Sequence, residues 1–514
     1  MLGMRSVALV SGLLLALVLE SGCGGPAADE PGVGKAASFK GVKLVVGMVG
    51  AEGLKSAVEG QRGEWAATRG AEVSVRQEPV DLKVLGGVDL LIFPGERLGD
   101  LVDAGVLAVI PDLALKPRPR AESESTADPA KVEETDSFKA GDLIPVYRDQ
   151  VTHYGADRFA LPLGGTGFVL VMNRAALDSE ASKAAASSAK VELAPPATWS
   201  QLDALAAALN GKDWSGDGQP DFGIALALGD DTEGTADALF LARAAAAGQH
   251  RDQYSYLFES DTMVPRVASP PFVEAMAALV KLAPSGPPGM NKFDAKAARA
   301  AFAAGNVAML VDRAERASEW GDANAIAVAP LPGSSRVYDP ARKAWESTES
   351  PNQASYLPDG GGWLVGVAAK LDGPSRVAAL DFALFLAGPD TTNRLRADRV
   401  APQLATRNAQ LRQGLPNPRS APGVDARQWA EAVEKTLRAP RVLPGLRIHD
   451  AAGYLSDLTK GRLAALAGTP ADKALAEVSA SWDRRTDLLG RARQVWHYRR
   501  TLNTLETAAQ PPAR

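Results

Sequence analysis

The sequence predicts an α/β fold divided into two large lobes, and three observations carry this. The chain has 514 residues, too many for one hydrophobic core, since single cores stop growing near roughly 250–300 residues. From residue 43 onward, short apolar runs alternate with helical patterns, the order that builds a largely parallel sheet with helices packed on it. Glycines fall at the ends of those runs, at Gly47, Gly50 and Gly95, where sheets of this kind bind their ligands. Apolar residues at 46% and charged residues at 23% make the chain globular, and a net charge of −5 leaves no basic footprint for nucleic acid.

The N-terminus, MLGMRSVALVSGLLLALVLESGC, has Arg5, an apolar run from Val7 to Leu19 and small residues before Cys23. This is the layout of a secretory signal over residues 1–22, and the run is too short for a permanent span. Cys23 is the only cysteine, which excludes an intrachain disulfide, a cysteine-rich zinc site and an iron–sulfur cluster. Ser21, Gly22 and Cys23 resemble a bacterial lipobox, which implies lipidation of Cys23 and a membrane anchor. Glu20 departs from that pattern, which wants an apolar residue there, so plain secretion with an unmodified Cys23 is the alternative. Residues 23–40 are rich in Gly, Pro and Ala and read as a flexible tether.

KLVVGMVG (43–50) reads as a strand, 51–69 as a helix, EVSVRQEPV as a second strand, and VDLLIFPGERLGDLVDAGVLAVIPD as a buried strand, a turn and a short helix. Residues 116–140 are charged and almost free of large apolar side chains, so an exposed, mobile insertion is expected. A second set of elements starts with RFALPLGGTGFVLVMNRAAL. In PATWSQLDALAAALN, Thr198 is placed to cap the helix that follows. Alanine-rich helical patterns fill 236–248, 271–283 and 294–304. The strands NVAMLVD, IAVAPLPG and GGGWLVGVA, the helix SRVAALDFALFLAG and several C-terminal helices complete the chain. No solenoid repeat is visible.

The order of these pieces resembles the family 1 extracellular solute-binding proteins, receptors of bacterial ABC importers. The correspondence runs from about 43 to 485 and is carried by VDLLIFPGERLGDLVDAGVLAVIPD, by FALPLGGTGFVLVMNR with Pro162 and Asn173-Arg174, by PATWSQLDALAAAL, by FAAGNVAMLVD, and by APLPG followed by GGGWLVGVA. The resemblance implies a type II periplasmic-binding-protein-like fold, its two discontinuous lobes joined by hinge crossovers. The expected lobes are 41–162 with 306–358, and 163–305 with 359–500, leaving 501–514 as a tail. It also implies an exported, monomeric receptor, periplasmic or on the cell surface, that closes on a small solute, most readily a carbohydrate, and docks on an ABC permease. Ligand binding then works by population shift, without chemistry on the ligand.

Oligosaccharide-binding members place a carboxylate and an arginine after the FPG-type strand, positions that are Glu96 and Arg97 here. Such a pair suits a ring of hydroxyls; a helix-capping surface pair is the alternative. Gly164, Gly165, Thr166 and Gly167 in the first crossover let backbone approach a ligand, or form a strained turn. Asp312 and Arg313 stand at the second crossing, as hydrogen-bonding residues or as a surface ion pair. The run Gly360, Gly361 and Gly362 is costly to order; it is expected to bring backbone to the solute, beside Trp363 as a flat apolar face for sugar CH groups. A core tryptophan next to a tight turn would read the same. Trp65, Trp214 and Trp320 are weaker candidates, and Trp199 is assigned to structure.

DWSGDGQPD places Asp213, Ser215, Asp217 and Asp221 at alternating positions around Gly218, which echoes a calcium loop, although Ile224 stands where a bidentate Glu belongs. A structural calcium ion or a solvated turn both fit, and no other cofactor is expected. His153, His250, His449 and His497 show no metal-ligand spacing. Two rival functions remain open at this stage. A secreted carbohydrate-active hydrolase would need a carboxylate pair that sequence cannot exclude, whereas a GxSxG elbow, a Walker loop, HExxH and a dinucleotide fingerprint are missing from the sequence. An envelope scaffold without a ligand is the other. RRTDLLGRARQVWHYRR is basic and amphipathic, a docked terminal helix or a membrane-surface contact.

Overall fold

The structure, a computed structural model, describes residues 38–503 except 51, 79–85, 117, 120–133, 136–137 and 322–324, together with residue 512. The expected signal, Cys23 and its lipobox, most of the tether, most of the 116–140 insertion and most of the expected tail lie outside the described residues, while Thr501, the first residue of that tail, belongs to the last helix.

Eight strands form the two main sheets: β1 (Lys43–Val49), β2 (Glu72–Glu78), β3 (Leu90–Pro94), β4 (Leu161–Gly165), β5 (Phe168–Asn173), β6 (Met309–Arg313), β7 (Ile326–Pro330) and β8 (Gly362–Val367). The first sheet has the order β2-β1-β3-β8-β4, with β1 parallel to β2 and β3, and β8 antiparallel to both β3 and β4. The second has the order β6-β5-β7, antiparallel throughout. Both strands of the first crossover are buried at every position, as a near-continuous apolar run requires.

The chain passes from the first sheet to the second through Thr166 and Gly167, and returns through a short turn at Pro358–Gly361 that leads into β8. This corrects the expected lobes. Strands β6 and β7, placed by the sequence reading with the first lobe in 306–358, pair with β5 of the second; β8, expected in the second lobe, closes the first sheet between β3 and β4. The reason is that an apolar strand takes its sheet from a long-range partner, which local pattern does not record.

Helices cover the sheets: α1 (Glu52–Arg69), α2 (Leu98–Asp103), α3 (Trp199–Leu209), α4 (Thr235–Gly248), α5 (Pro270–Leu282), α6 (Ala295–Ala303), α7 (Gly373–Leu386), α8 (Ala426–Leu437), α9 (Ala451–Leu466), α10 (Ala471–Leu489) and α11 (Arg491–Thr501). Thr198 does cap α3. Its hydroxyl accepts from Gln201 N at 3.3 Å, while Gln201 Oε1 accepts from Thr198 N at 3.0 Å, a reciprocal capping box. Each lobe has its own core, Trp65 and Phe382 in the first, and the α4, α5, α9 and α10 faces in the second. A third core, including Phe93, Val169, Leu310 and Leu364, runs between the sheets.

The basic C-terminal stretch is a docked helix that ties the lobes together. On one side of α11, Arg493 Nε and His497 Nε2 lie 2.6 and 2.9 Å from Asp103 Oδ1, His497 Nδ1 lies 2.7 Å from Tyr154 Oη, and Arg500 donates to Tyr154 O at 2.6 Å. On the other, Tyr498 Oη accepts from Tyr256 N at 3.0 Å and Leu257 N at 3.2 Å, and Arg499 donates to Ser260 O at 3.2 Å.

Candidate functional site

At the carboxyl end of β3 the chain turns through Gly95, Glu96 and Arg97 into α2. Strand β8 lies antiparallel beside β3 with Trp363 opposite Pro94, so the glycine-rich return is set against the Glu96 turn. The glycines are required there by backbone packing. A Cβ on Gly360 (φ +68°) would come within 2.2 Å of Glu96 N, and one on Gly362 (φ +118°) within 2.3 Å of Gly164 O. Both positions combine left-handed φ with no room, which only glycine tolerates. The expectation that all three glycines approach a solute is therefore amended: Gly360 packs on the Glu96 turn and Gly361 on Val151, and only Gly362 reaches the cavity.

That cavity, of about 390 Å³, is walled by both lobes. The first contributes Glu96, Gly165, Gly362 and Trp363; the second contributes Glu233, Arg313 and Glu315; Thr166 sits at the crossover. A larger cavity of about 560 Å³ lies within the second lobe, between Asn210–Phe222 and Val280–Asn291. Its only carboxylate is Asp221, whose oxygens are already occupied, so the interlobe cavity is the better candidate.

Of the sequence-derived candidates, Glu96, Gly165, Thr166, Arg313, Gly362 and Trp363 come together around this space. Arg97 and Asp312 do not. Arg97 Nη1 is 3.0 Å from Asp100 Oδ2 on the first turn of α2. Asp312 is buried, accepting from Trp320 Nε1 at 2.8 Å and from Arg299 at 3.3 Å. Alternation along β6 explains this, because successive side chains leave on opposite faces. Asp312 and Arg313 are thus no surface pair. Trp65, Trp214 and Trp320 are buried in cores.

Arg313 fixes the inner end of the cavity. Its Nε donates to Thr235 Oγ1 at 3.1 Å, and its terminal nitrogens donate to both Asp359 oxygens and to Glu233 O. Asp359 belongs to the return turn and Arg313 to β6, so this part-buried ion pair spans the second crossover. Burial opposes the guanidinium's charge, but Asp359, Glu315 and Glu233 outweigh it and hold its pKa above the ordinary arginine value.

The carboxylates respond oppositely. Burial lifts Glu96 from 4.5 to about 7, with Asp359 adding to the rise and Arg97 and Arg313 opposing it. Burial likewise lifts Glu315 to about 7, against the pull of Arg313 and of Thr166, whose hydroxyl donates to Glu315 Oε1 at 2.6 Å. For Glu233, burial is outweighed by Arg299, 2.8 Å away, and its pKa falls. Sequence reasoning missed Glu233, Glu315 and Asp359. Glu315 follows directly on β6, where the end of a strand was signal enough; Glu233, in the loop before α4, carried none.

In the 213–221 loop, Asp221 accepts from Trp214 N at 2.9 Å and Ser215 N at 2.7 Å, Asp213 from Gly216 N and Gly218 N, and Asp217 from Gln219 N. The carboxylates are thus spent on backbone N–H groups. Among the described residues, the acids and histidine that do converge as a potential ligand set are His250, Asp339 and Glu346, where Arg342 and Arg251 already pair with Glu346.

Such a two-lobe arrangement has close structural counterparts. A solute-binding protein of Agrobacterium radiobacter K84 in complex with ribitol superposes with a TM-score of 0.59 at 17% identity, covering 87% of this chain and 100% of that one. A maltose-bound protein of T. maritima gives 0.58 at 16% identity, over 86% and 100%. One of Agrobacterium vitis S4 with bound D-mannitol gives 0.57 at 17% identity, over 87% and 99%. No curated protein matches by sequence. The family model described as bacterial extracellular solute-binding protein matches residues 82–406, well over half of the chain. That stretch holds both crossovers and most of the cavity wall, and on it the chain belongs to the bacterial extracellular solute-binding proteins.

Proposed function

We propose that this protein is an exported receptor that captures a small polyhydroxylated solute, a sugar or sugar alcohol, between its lobes and hands it to an ABC permease. The observation that carries the reading is the interlobe cavity, where hydrogen-bonding carboxylates face the one aromatic side chain in its wall, Trp363. Its size falls in the usual range for small-molecule sites, and carboxylates accept pairs of hydroxyls while an aromatic face takes CH groups. Ribitol, mannitol and maltose in the structural counterparts point the same way. The ligand touches both lobes only in the closed form, so binding and closure are one equilibrium. We also assign Cys23 as the lipidated N-terminus of the mature chain, on the spacing of the signal before it; incorporation of labelled palmitate that is lost in Cys23→Ser checks this.

Thermal unfolding with a panel of sugars and polyols tests the receptor reading. A binder at about 100 times Kd stabilises the fold by roughly 2.7 kcal/mol. Stoichiometric retention without turnover is expected, and conversion of the ligand would favour a hydrolase.

A further inference from the structure

The cavity is more acidic than its cations balance. Glu96, Glu233, Glu315 and Asp359 line it, with Asp312 and Glu319 behind, while the cations in contact with this group are Arg299, Arg313 and Arg316. Three guanidiniums therefore meet six acids. Those guanidiniums are also engaged: Arg313 with Asp359, Thr235 and Glu233 O; Arg299 with Glu233, Asp312 and Glu319; Arg316, through one terminal nitrogen, with Glu319 and Val400 O. Arg97, the other cation near Glu96, is paired with Asp100.

Unmet hydrogen bonding is present on both sides, Arg316 Nε being buried without a partner, but the excess of charge is acidic. Glu233 Oε2 and Glu315 Oε2 are buried without a hydrogen-bond partner. Glu96 accepts no hydrogen bond among the described residues. Behind this wall Tyr147 is fully buried, its hydroxyl set against Gly165 and the Thr166 backbone. Carboxylate oxygens kept from water and given no donor are costly. Hydroxyls would supply donors but leave the charge uncompensated; an ammonium supplies both. Trp363 adds a face that attracts a cation.

We infer that the solute carries a protonated amine, as an amino sugar or amino-substituted polyol does, its ammonium taken by Glu96 and Glu315, the two cavity glutamates that hold no ion pair of their own among the described residues. This rests on the receptor reading above and narrows it. The environment of the acids supports it. Glu96, faced by Asp359, Arg97, Arg313 and Asp100, and Glu315, faced by Arg313, Thr166, Arg316 and Tyr147, are each pushed by burial to about 7. Near neutral pH they hold protons that an incoming ammonium displaces, so amine binding tightens as pH rises from 6 to 8.

Calorimetric titration of the full mature chain with matched pairs decides this: D-glucosamine against D-glucose and N-acetyl-D-glucosamine, and 1-amino-1-deoxy-D-glucitol against D-glucitol. The amine member should bind about tenfold tighter or more, as a charge-assisted hydrogen bond provides. The advantage should vanish in Glu315→Gln and in Glu96→Gln, which keep the side-chain shape, and for 1-amino-1-deoxy-D-glucitol, whose amine stays protonated across the range, it should grow between pH 6 and 8. Equal or tighter binding of D-glucitol at pH 8, or of D-glucose at pH 6.5, overturns the inference and leaves the receptor reading standing. Binding by no member of either series overturns both.

Discussion

Trp363 stands opposite Pro94 in the β3–β8 ladder, directly ahead of the turn that carries Glu96, and both side chains reach one cavity. The pairing register, not proximity in sequence, creates this site. Trp363→Ala and Glu96→Gln should each weaken solute binding about tenfold or more, as losing a central aromatic or charged contact does. Far-UV circular dichroism should stay unchanged. Unaltered affinity in both variants would reject this cavity as the binding site.

In the Arg313–Asp359 pair the guanidinium is buried and hydrogen-bonded through Nε and both terminal nitrogens, while Asp359 is half-buried. Removing Asp359 strands the buried Arg313 charge, at a cost of up to about 3 kcal/mol, removing Arg313 costs less because Asp359 is part-exposed, and removing both costs less than the sum. Urea denaturation of Arg313→Met, Asp359→Asn and the double variant should therefore give strongly non-additive losses. Simple additivity would mean that the pair does not act as a unit.

Glu315 titrates at about 7 in the folded protein against 4.5 ordinarily. Between these values the native state binds more protons than the unfolded state, so stability falls as pH rises through this window and the full penalty is present above pH 7. Glu315→Gln removes the titrating group. The solute-free variant should be more stable than the parent by about 1–3 kcal/mol at pH 8 and nearly equal to it at pH 4.5. Parallel urea midpoints across that range would refute the assignment.

Gly362 has a left-handed φ and a carbonyl at 2.3 Å from where a Cβ would stand. Gly362→Ala should destabilise by more than about 2 kcal/mol, since both backbone strain and a backbone clash must be relieved. Gly60, inside α1 with open space around it, is the contrast: Gly60→Ala should stabilise by up to about 1 kcal/mol. Equal melting shifts in the two variants would remove the packing explanation for the glycine run.

Much of this arrangement was legible in residues that act locally. The Thr198 cap, the alanine-rich helices and the two crossover segments are written in short-range pattern, whereas Glu96 is reached through the family resemblance, Arg313 by its place at the end of NVAMLVD, and Trp363 by the glycine run before it. What local pattern does not contain is partner choice. GGGWLVGVA fits either sheet equally well until β3 and β4 are found on its two sides. The same limit hid Glu233, which matters only because α4 begins beside β6, and misdirected Arg97, whose side chain found Asp100 first.

Helix α11 bonds to Asp103 and Tyr154 with one set of side chains and to Tyr256, Leu257 and Ser260 with another. It therefore acts as a further strap besides the chain crossings, and any swing that parts the halves must either tear one row of these bonds or drag the rod along. Such bracing opposes wide separation of the halves. Cutting the chain after Leu489 would then widen the range of apertures visited in solution, visible as a larger radius of gyration by small-angle scattering.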